Sequence, residues 1–499
     1  MRLSQVIADA GCRGFRGAGD PEIGSITADS RQVRPGSLFV CVAGGRSDGH
    51  DFVDAALAGG AAAVIAGREL PWDSAVPLVL TSNTRRALAI AAGNLFGRPD
   101  ERIALAGVTG TNGKTTVSFL LASILEGAGV RCGLIGTIGV RSGGAGAEAL
   151  APATHTTPDA VSLASTLSRM ADDGARFAAL EVSSHALDQE RVAGLRFRAA
   201  AFTNLTRDHL DYHGDMDRYF AAKARLFRER LHPGAISVVN HDDPHGRELA
   251  GLLSTKVWRF SATDPACEVS ASKVVLGHDG IRAEVRTPAG SFPLRSALIG
   301  AHNLQNLLGA AGLALALGRS IDEVASGLEA AAGAPGRLER VGPRAFVDYA
   351  HTPDALDRVG ACLREVAPAR LVVVFGCGGD RDAGKRPLMG EAAGRLADLA
   401  VVTSDNPRSE DPAAIAAAIE PGLAAAGLER LDRERALAGA GGYVVELDRR
   451  AAIDLAVAAL GPDDLLLVAG KGHETTQTFA DRVVHFDDRE EVRRALEGR

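Results

Sequence analysis

The 499-residue sequence predicts an α/β protein of three domains. Three observations carry that prediction. Strand-length apolar runs alternate with helix-period segments along nearly the whole chain, the rhythm of parallel sheets joined by crossover helices. The rhythm is interrupted by the Gly/Pro-rich stretch Ala332-Gly333-Ala334-Pro335-Gly336-Arg337 and then restarts. The chain is also too long to be organised around a single hydrophobic core.

Residues 1–98 read as a small α/β domain, with strands near 37–42, 62–65 and 78–80 between Ala-rich helical stretches. Asn83-Thr84-Arg85 supplies a cap for the helix that leads toward Pro99. Residues 99–332 read as the second domain. Strands near 103–108, 131–135, 177–182, 199–203 and 235–240, with helical patterns between several of them, predict a doubly wound, mostly parallel sheet. Across 256–298 the helical signal fades. Alternation such as Ile281-Arg282-Ala283-Glu284-Val285-Arg286 predicts a small antiparallel insertion there. The helical register returns at Asn303 and runs to Ala332. Residues 333–499 read as a Rossmann-like third domain, with strands near 345–347, 371–375, 399–403 and 465–468.

Composition narrows the function. Hydrophobic content of 46% and charged content of 23% are those of an ordinary globular protein. A net charge of −7, no large basic block and only 4% aromatics remove the basis for nucleic-acid binding. No apolar run is long enough to span a bilayer, and the N-terminus lacks a signal-peptide core, so a cytoplasmic location is expected. The six cysteines are scattered without a C-x-x-C pair and read as reduced thiols.

The strand near 103–108 runs into Gly110-Thr111-Asn112-Gly113-Lys114-Thr115-Thr116 and then a helix. Strand, glycine-rich turn, Lys-Thr and helix together hold a triphosphate. Backbone N–H groups and the positive helix end face the phosphates, Lys114 reaches the β/γ oxygens, and the Thr115 hydroxyl ligates Mg²⁺. Val108 stands where the common P-loop has its first glycine, so the loop is a variant. Glu181 ends an apolar strand, where an acidic residue can serve the same Mg²⁺. The polar run Val182-Ser183-Ser184-His185 follows it. The cluster from Asn204 to His213, with His209 in it, follows another strand. His209 suits a metal or a phosphate. Lys223 lies in a helical pattern and, from periodicity alone, is an ordinary exposed lysine.

In the third domain four strands end in polar, glycine-bearing loops: Asp348 to Asp354, Gly376 to Asp382, Ser404 to Arg408 and Gly470 to Glu474. Their convergence on one sheet edge predicts a ligand site.

These motifs, together with Asp29-Ser30-Arg31, Thr156-Thr157-Pro158, Ala222-Lys223-Ala224-Arg225 and Gly336-Arg337-Leu338-Glu339, resemble the Mur ligases of bacterial cell-wall synthesis over essentially the whole chain. The resemblance implies a UDP-sugar-binding first domain, an ATP-binding second domain and an amino-acid-binding third domain. It implies an ATP-dependent ligase of the diaminopimelate-adding kind, working through an acyl phosphate on UDP-MurNAc-L-Ala-D-Glu. The lysine-adding and folylpolyglutamate-synthetase-like ligases are the alternatives.

The resemblance assigns roles as well. ATP falls to Gly110 through Thr116 with Asn303, Asn306, Arg337 and Asp348. Mg²⁺ falls to Thr115, Glu181, His209 and Lys223, the last as a carbamate. Ser30, Thr156, Thr157, Ser183, Gln189 and Arg191 match the UDP-sugar dipeptide site. Arg381, Asp405, Asn406, Pro407, Arg408, Gly470 and Glu474 match the diaminopimelate site. Arg408 offers a planar fork to the side-chain carboxylate that lysine lacks. His155 and His302 depart from common family residues. A monomer acting on small-molecule substrates is expected.

Overall fold

The computed structural model of the chain describes residues 1–499 except 18, 46, 144–149, 152–154, 368 and 499. The chain divides into two compact units. One comprises Met1–Ser270, Arg286–Gly290 and Asn306–Gly327, and the other Ala271–Val285, Ser291–Gln305 and Leu328–Arg499. Three principal sheets are present, of five, ten and six strands, as the three-domain α/β reading expects.

The first sheet runs in the order Cys12–Arg16, Leu78–Thr81, Ala61–Ala66, Ser37–Val40, Ser25–Thr27. Only the Cys12–Arg16 edge pairs antiparallel. Leu38 and Val40 pack into one apolar cluster and Phe39 into another. Both faces are therefore covered, and the strand shows no polar alternation. Asn83 caps the following helix, Thr84–Leu95, by accepting from the Arg86 N–H at 3.0 Å.

In the ten-stranded sheet the P-loop strand Ala104–Thr109 lies between Phe197–Phe202 and Phe177–Glu181, all parallel. Register sets the functional geometry. Val108 pairs with Glu181 and Thr109 with Phe202, so three loops leave the sheet side by side. The predicted antiparallel insertion begins later than 256. Lys256–Ser261 pairs parallel with Leu231–Asn240, and the start of Val269–Gly277 pairs parallel with it in turn. The strands Gly280–Thr287 and Gly290–Ser296 then extend the same sheet through two-residue connections. The helical segment after 300 is two helices, Ala301–Ala316 and Ile321–Ala330, interrupted at Gly318, whose φ is +81°.

The six-stranded sheet runs Glu339–Arg340, Ala345–Asp348, Leu465–Ala469, Leu371–Phe375, Leu399–Val402, Gly442–Val445. Its last five strands are parallel. Val373 and Phe375 face one core and Val372 and Val374 the other. The four predicted loops therefore leave from one edge of this sheet. Gly442–Val445 is a further parallel strand that the sequence pattern does not place.

Candidate active site

Gly110 and Gly113 shape the P-loop, at φ of +148° and +84°. A Cβ on Gly110 would lie 1.9 Å from Thr203 Oγ1, and one on Gly113 would lie 2.4 Å from Asn306 Oδ1. Only glycine fits at both. The loop is braced from the neighbouring strand end. Thr203 Oγ1 donates to the Asn112 carbonyl at 2.6 Å, Asn112 N–H donates to Asn204 Oδ1 at 2.9 Å, and Thr111 N–H donates to the Asn204 carbonyl at 2.8 Å. Thr115 and Thr116 open the helix Lys114–Gly127 and are mostly buried.

Two lysines meet on this loop. Lys114 Nζ donates to the carbonyls of Gly110, at 3.0 Å, and Thr111, at 2.8 Å. Lys223 Nζ donates to the same Gly110 carbonyl at 2.8 Å. Lys223 is 1% exposed and lies over the Tyr219 ring, 4.5 Å from its centroid. Burial, reinforced by the Lys114 charge, pushes its amine well below the ordinary lysine range. The exposed position that periodicity gave Lys223 is therefore wrong. It shares the buried stripe of the helix Met216–Glu229 with Tyr219, Phe220 and Phe227.

Glu181 is 1% exposed. Its Oε1 accepts the Thr137 N–H at 2.9 Å and its Oε2 the Thr137 hydroxyl at 3.0 Å. Gly136 leaves room for that carboxylate, because a Cβ there would sit 2.0 Å from Oε1. Thr137 Oγ1 lies 3.1 Å from Thr156 Oγ1. Thr157 Oγ1 donates to the Glu181 carbonyl at 2.8 Å and accepts the Ser183 N–H at 3.0 Å. Arg191 donates to the Thr157 carbonyl at 2.8 Å and to Gln189 Oε1 at 2.8 Å. Thr156, Thr157, Ser183, Gln189 and Arg191 thus form one linked group. Ser30, on the short turn Ser30–Gln32, shares no hydrogen bond with it among the described residues.

His209 has a left-handed φ of +53°, and its Nε2 lies 3.5 Å from Asp208. Its ring stands edge-on to that of His185 at 4.9 Å. His185 also packs on Tyr212 at 4.1 Å and His213 at 5.5 Å. Burial lowers the affinity of His185 and His213 for a proton; His209 and His213 add to the effect at His185, and at His213 Lys223 and His209 add to it against the opposing pull of Asp188. The packing of His209, Tyr212 and His213 around His185 is not legible in the spacing of the motif, because it requires two strand-end loops to meet.

In the second unit, Asp348 accepts from Leu338 N–H at 2.6 Å and from Ala350 N–H at 2.7 Å. Burial pushes its carboxyl up to about 6, against the opposing pull of Arg337 and these two N–H groups. The Arg337 guanidinium lies over the Tyr349 ring at 5.1 Å. Asn303 is buried and donates to the Ile299 carbonyl at 2.9 Å.

At the edge of the six-stranded sheet, Asn406 Nδ2 donates to Glu474 Oε2 at 2.9 Å. Arg408, with φ +52°, donates to the Gly379 carbonyl at 2.8 Å. Its N–H pairs with the Thr478 carbonyl at 3.0 Å, which anchors the turn after Pro407. Gly378 admits Arg408, since a Cβ there would lie 2.9 Å from Nη1 and 3.8 Å from Arg381 Cγ. Gly470, at φ +118°, places the next loop beside Asp405, whose carboxylate carbon would be 3.7 Å from a Cβ there.

The family patterns described as the Mur ligase middle domain, the Mur ligase glutamate ligase domain and the Mur ligase family catalytic domain match residues 108–314, 336–472 and 22–94. The chain belongs to the Mur ligase family. Among Mur ligases it is 47% identical over 485 residues to the UDP-N-acetylmuramoyl-L-alanyl-D-glutamate–2,6-diaminopimelate ligase of Pseudomonas aeruginosa, covering 95% of each chain. It is 44% identical over 486 residues to that of Geobacter metallireducens, covering 95% of this chain and 94% of the other. A solved structure of a ligase of the same name superposes with a TM-score of 0.72 at 35% identity, covering 95% of both chains. The MurF ligase of Thermotoga maritima, solved with ADP, shares the Mur ligase fold at 19% identity and a TM-score of 0.57, with 95% of this chain and 97% of that one covered.

One further group at this edge of the six-stranded sheet has no counterpart among the residues that the sequence predicts. Lys471, inside the Gly470-to-Glu474 loop, is fully buried against Asn406 and Glu474. A lysine flanked by two glycines just past a strand was the available signal. Among the described residues, no helix is long and apolar enough to cross a membrane.

Proposed function

We propose that this chain is an ATP-dependent ligase that joins meso-2,6-diaminopimelate to UDP-MurNAc-L-Ala-D-Glu in peptidoglycan precursor synthesis. The observation that carries the reading is the convergence of Lys114 and the buried Lys223 on one P-loop carbonyl, in a chain 44–47% identical to ligases of that activity. The acid's terminal carboxylate oxygen attacks the γ-phosphorus of ATP, the bond to the ADP oxygen breaks, and an acyl phosphate forms. The amine of diaminopimelate attacks the acyl carbon, phosphate leaves, and the nitrogen loses its proton as the peptide bond forms. The protein's part is positioning and charge neutralisation.

We assign ATP to Gly110, Thr111, Asn112, Gly113, Lys114, Thr115 and Thr116, with Asn303, Asn306, Arg337 and Asp348. Thr115, Glu181, His209 and Lys223 are the groups that would hold Mg²⁺, which when bound screens the charge of the phosphates. Two features suit that ion. The Glu181 carboxylate has a space kept for it by Gly136. The Lys223 amine is held where its neutral form is favoured. A neutral amine can add CO₂ and release a proton, giving a carbamate with oxygen donors of the kind Mg²⁺ takes. Ser30, Thr156, Thr157, Ser183, Gln189 and Arg191 are assigned to the UDP-linked dipeptide. Arg381, Asp405, Asn406, Pro407, Arg408, Gly470 and Glu474 are assigned to diaminopimelate. The corresponding domains are residues 1–98, 99–332 and 333–499. The reading is that of a cytoplasmic monomer.

A phosphate-release assay with ATP, Mg²⁺ and UDP-MurNAc-L-Ala-D-Glu tests this. The expected rate with meso-diaminopimelate exceeds that with L-lysine by about a hundredfold or more, because lysine leaves Arg408 without its carboxylate. Equal rates, or a preference for lysine, would remove the assignment of Arg408 and favour a lysine-adding ligase.

A further inference from the structure

Lys471 lies in a turn whose flanking glycines, Gly470 and Gly472, both have positive φ, +118° and +55°. The turn carries its side chain beneath the strand ends, where it is 0% exposed. Nζ donates to Asn406 Oδ1 at 3.1 Å and to Glu474 Oε2 at 3.3 Å, and it stands 3.7 Å from Asp405 Oδ1. That Asp405 oxygen is buried and has no hydrogen bond among the described residues. An ammonium in this place has the cost of leaving water offset by two carboxylates and an amide oxygen.

The contacts fix more than the lysine. An ammonium can only donate, and Thr478 N–H also donates to Asn406 Oδ1, at 3.0 Å. With two donors on one side of the Asn406 amide, that side must be oxygen. Nδ2 is then committed to Glu474 Oε2, at 2.9 Å. Glu474 is thereby held by one oxygen. Its Oε1 takes no hydrogen bond among the described residues, and the side chain is 34% exposed. An incoming ammonium would meet a carboxylate already oriented, with one oxygen open. The same lysine stands within 3.7 Å of Asp405 and 3.3 Å of Glu474, so its positive charge offsets the repulsion between the two carboxylates.

We infer that Lys471 is a positioning residue of the amino-acid pocket: through Asn406 and Glu474 it orients the groups that bind the amine-bearing substrate, without itself contacting the reacting atoms. This rests on the amino-acid site proposed above.

The test measures kcat and KM for each of the three substrates in the full-length enzyme, in wild type, Lys471→Met, Glu474→Gln and the double variant. Wild-type turnover with diaminopimelate checks the proposed function by itself, before any variant is compared. In Lys471→Met the KM for diaminopimelate is expected to rise at least tenfold, while the KM values for ATP and the UDP-linked acid stay within twofold. The double variant is expected to raise the diaminopimelate KM by less than the product of the two single effects, because both act on one linked group. If Lys471→Met does not fold, Lys471→Gln, which keeps a donor to Asn406, carries the same comparison, with a diaminopimelate KM expected between the wild-type and Glu474→Gln values. An unchanged KM for diaminopimelate, an equal rise in all three KM values, or full multiplicativity in the double variant would overturn the inference.

Discussion

A lysine amine shut away from water, with the Lys114 charge nearby and a backbone carbonyl as its hydrogen-bond partner, is disfavoured as a cation. Two outcomes follow for Lys223. Lys223→Ala is expected to lose at least about two orders of magnitude in kcat and to regain part of it with added short carboxylates, which can occupy the space of a carbamate. Full activity in the unrescued variant would eliminate that role. The pH dependence has a definite sign. The unfolded chain keeps its Lys223 proton up to about 10.5, whereas the folded chain releases it earlier, so the unfolded state binds more protons in that window. In bicarbonate-free buffer, wild type is therefore expected to gain stability relative to Lys223→Met as pH rises from 7.5 toward 10, and urea titrations at several pH values would detect this. The chemistry of this residue was readable only through family resemblance. Its burial depends on Tyr219, Phe220 and Phe227 lying on the same helical face, and a periodicity reading that treats lysine as solvent-facing misses it. Lys471 escaped for a related reason. Glu474 lies in its own loop, but Asn406 comes from the loop after another strand of the sheet, and only the fold brings it to Lys471.

Elements whose signal is local were legible from sequence. The strand Ala104–Thr109, the turn after it and the helix Lys114–Gly127 stand where their pattern put them. So do the strand ends that deliver Glu181 and Asp405. Less legible was what braces the P-loop, because Thr203 and Asn204 reach it through the pairing of Thr109 with Phe202. The segment 256–298 is only partly legible. Its alternating pattern reports one covered face and does not say whether the neighbour on the sheet is parallel, as Lys256–Ser261 is, or a hairpin partner. The bracing has a measurable consequence. Gly110→Ala places a methyl group 1.9 Å from Thr203 Oγ1 at a φ of +148°. A loss of about 2 kcal/mol or more in unfolding free energy is expected, together with weakened nucleotide binding. Thr203→Ala in the same background should return part of the stability, since it removes the clash but not the backbone strain. No recovery would mean that the contact is not the cause.

At the scale of the whole molecule, the ten-stranded and six-stranded sheets each deliver a set of strand-end loops, and the two sets differ in chemical character. The first unit holds a phosphate-type loop with a buried carboxylate and a buried amine close by. The second holds a loop cluster with Asp405, Arg408, Lys471 and Glu474, a mixture of charges suited to a substrate bearing both an ammonium and a carboxylate. The order of these motifs along the chain made the family legible from sequence. How Arg408 is held, on the Gly379 carbonyl and by its own left-handed backbone, was not, because it requires the loops after two neighbouring strands to meet. In the proposed reaction ATP activates a carboxylate, which diaminopimelate then captures. Mass spectrometry of the reaction products tests it most directly. A single new UDP-linked species is expected, heavier than UDP-MurNAc-L-Ala-D-Glu by one diaminopimelate less one water and formed one-for-one with ADP and phosphate. ADP and phosphate released with diaminopimelate present but without that species, or the same adduct formed equally well with lysine, would contradict it.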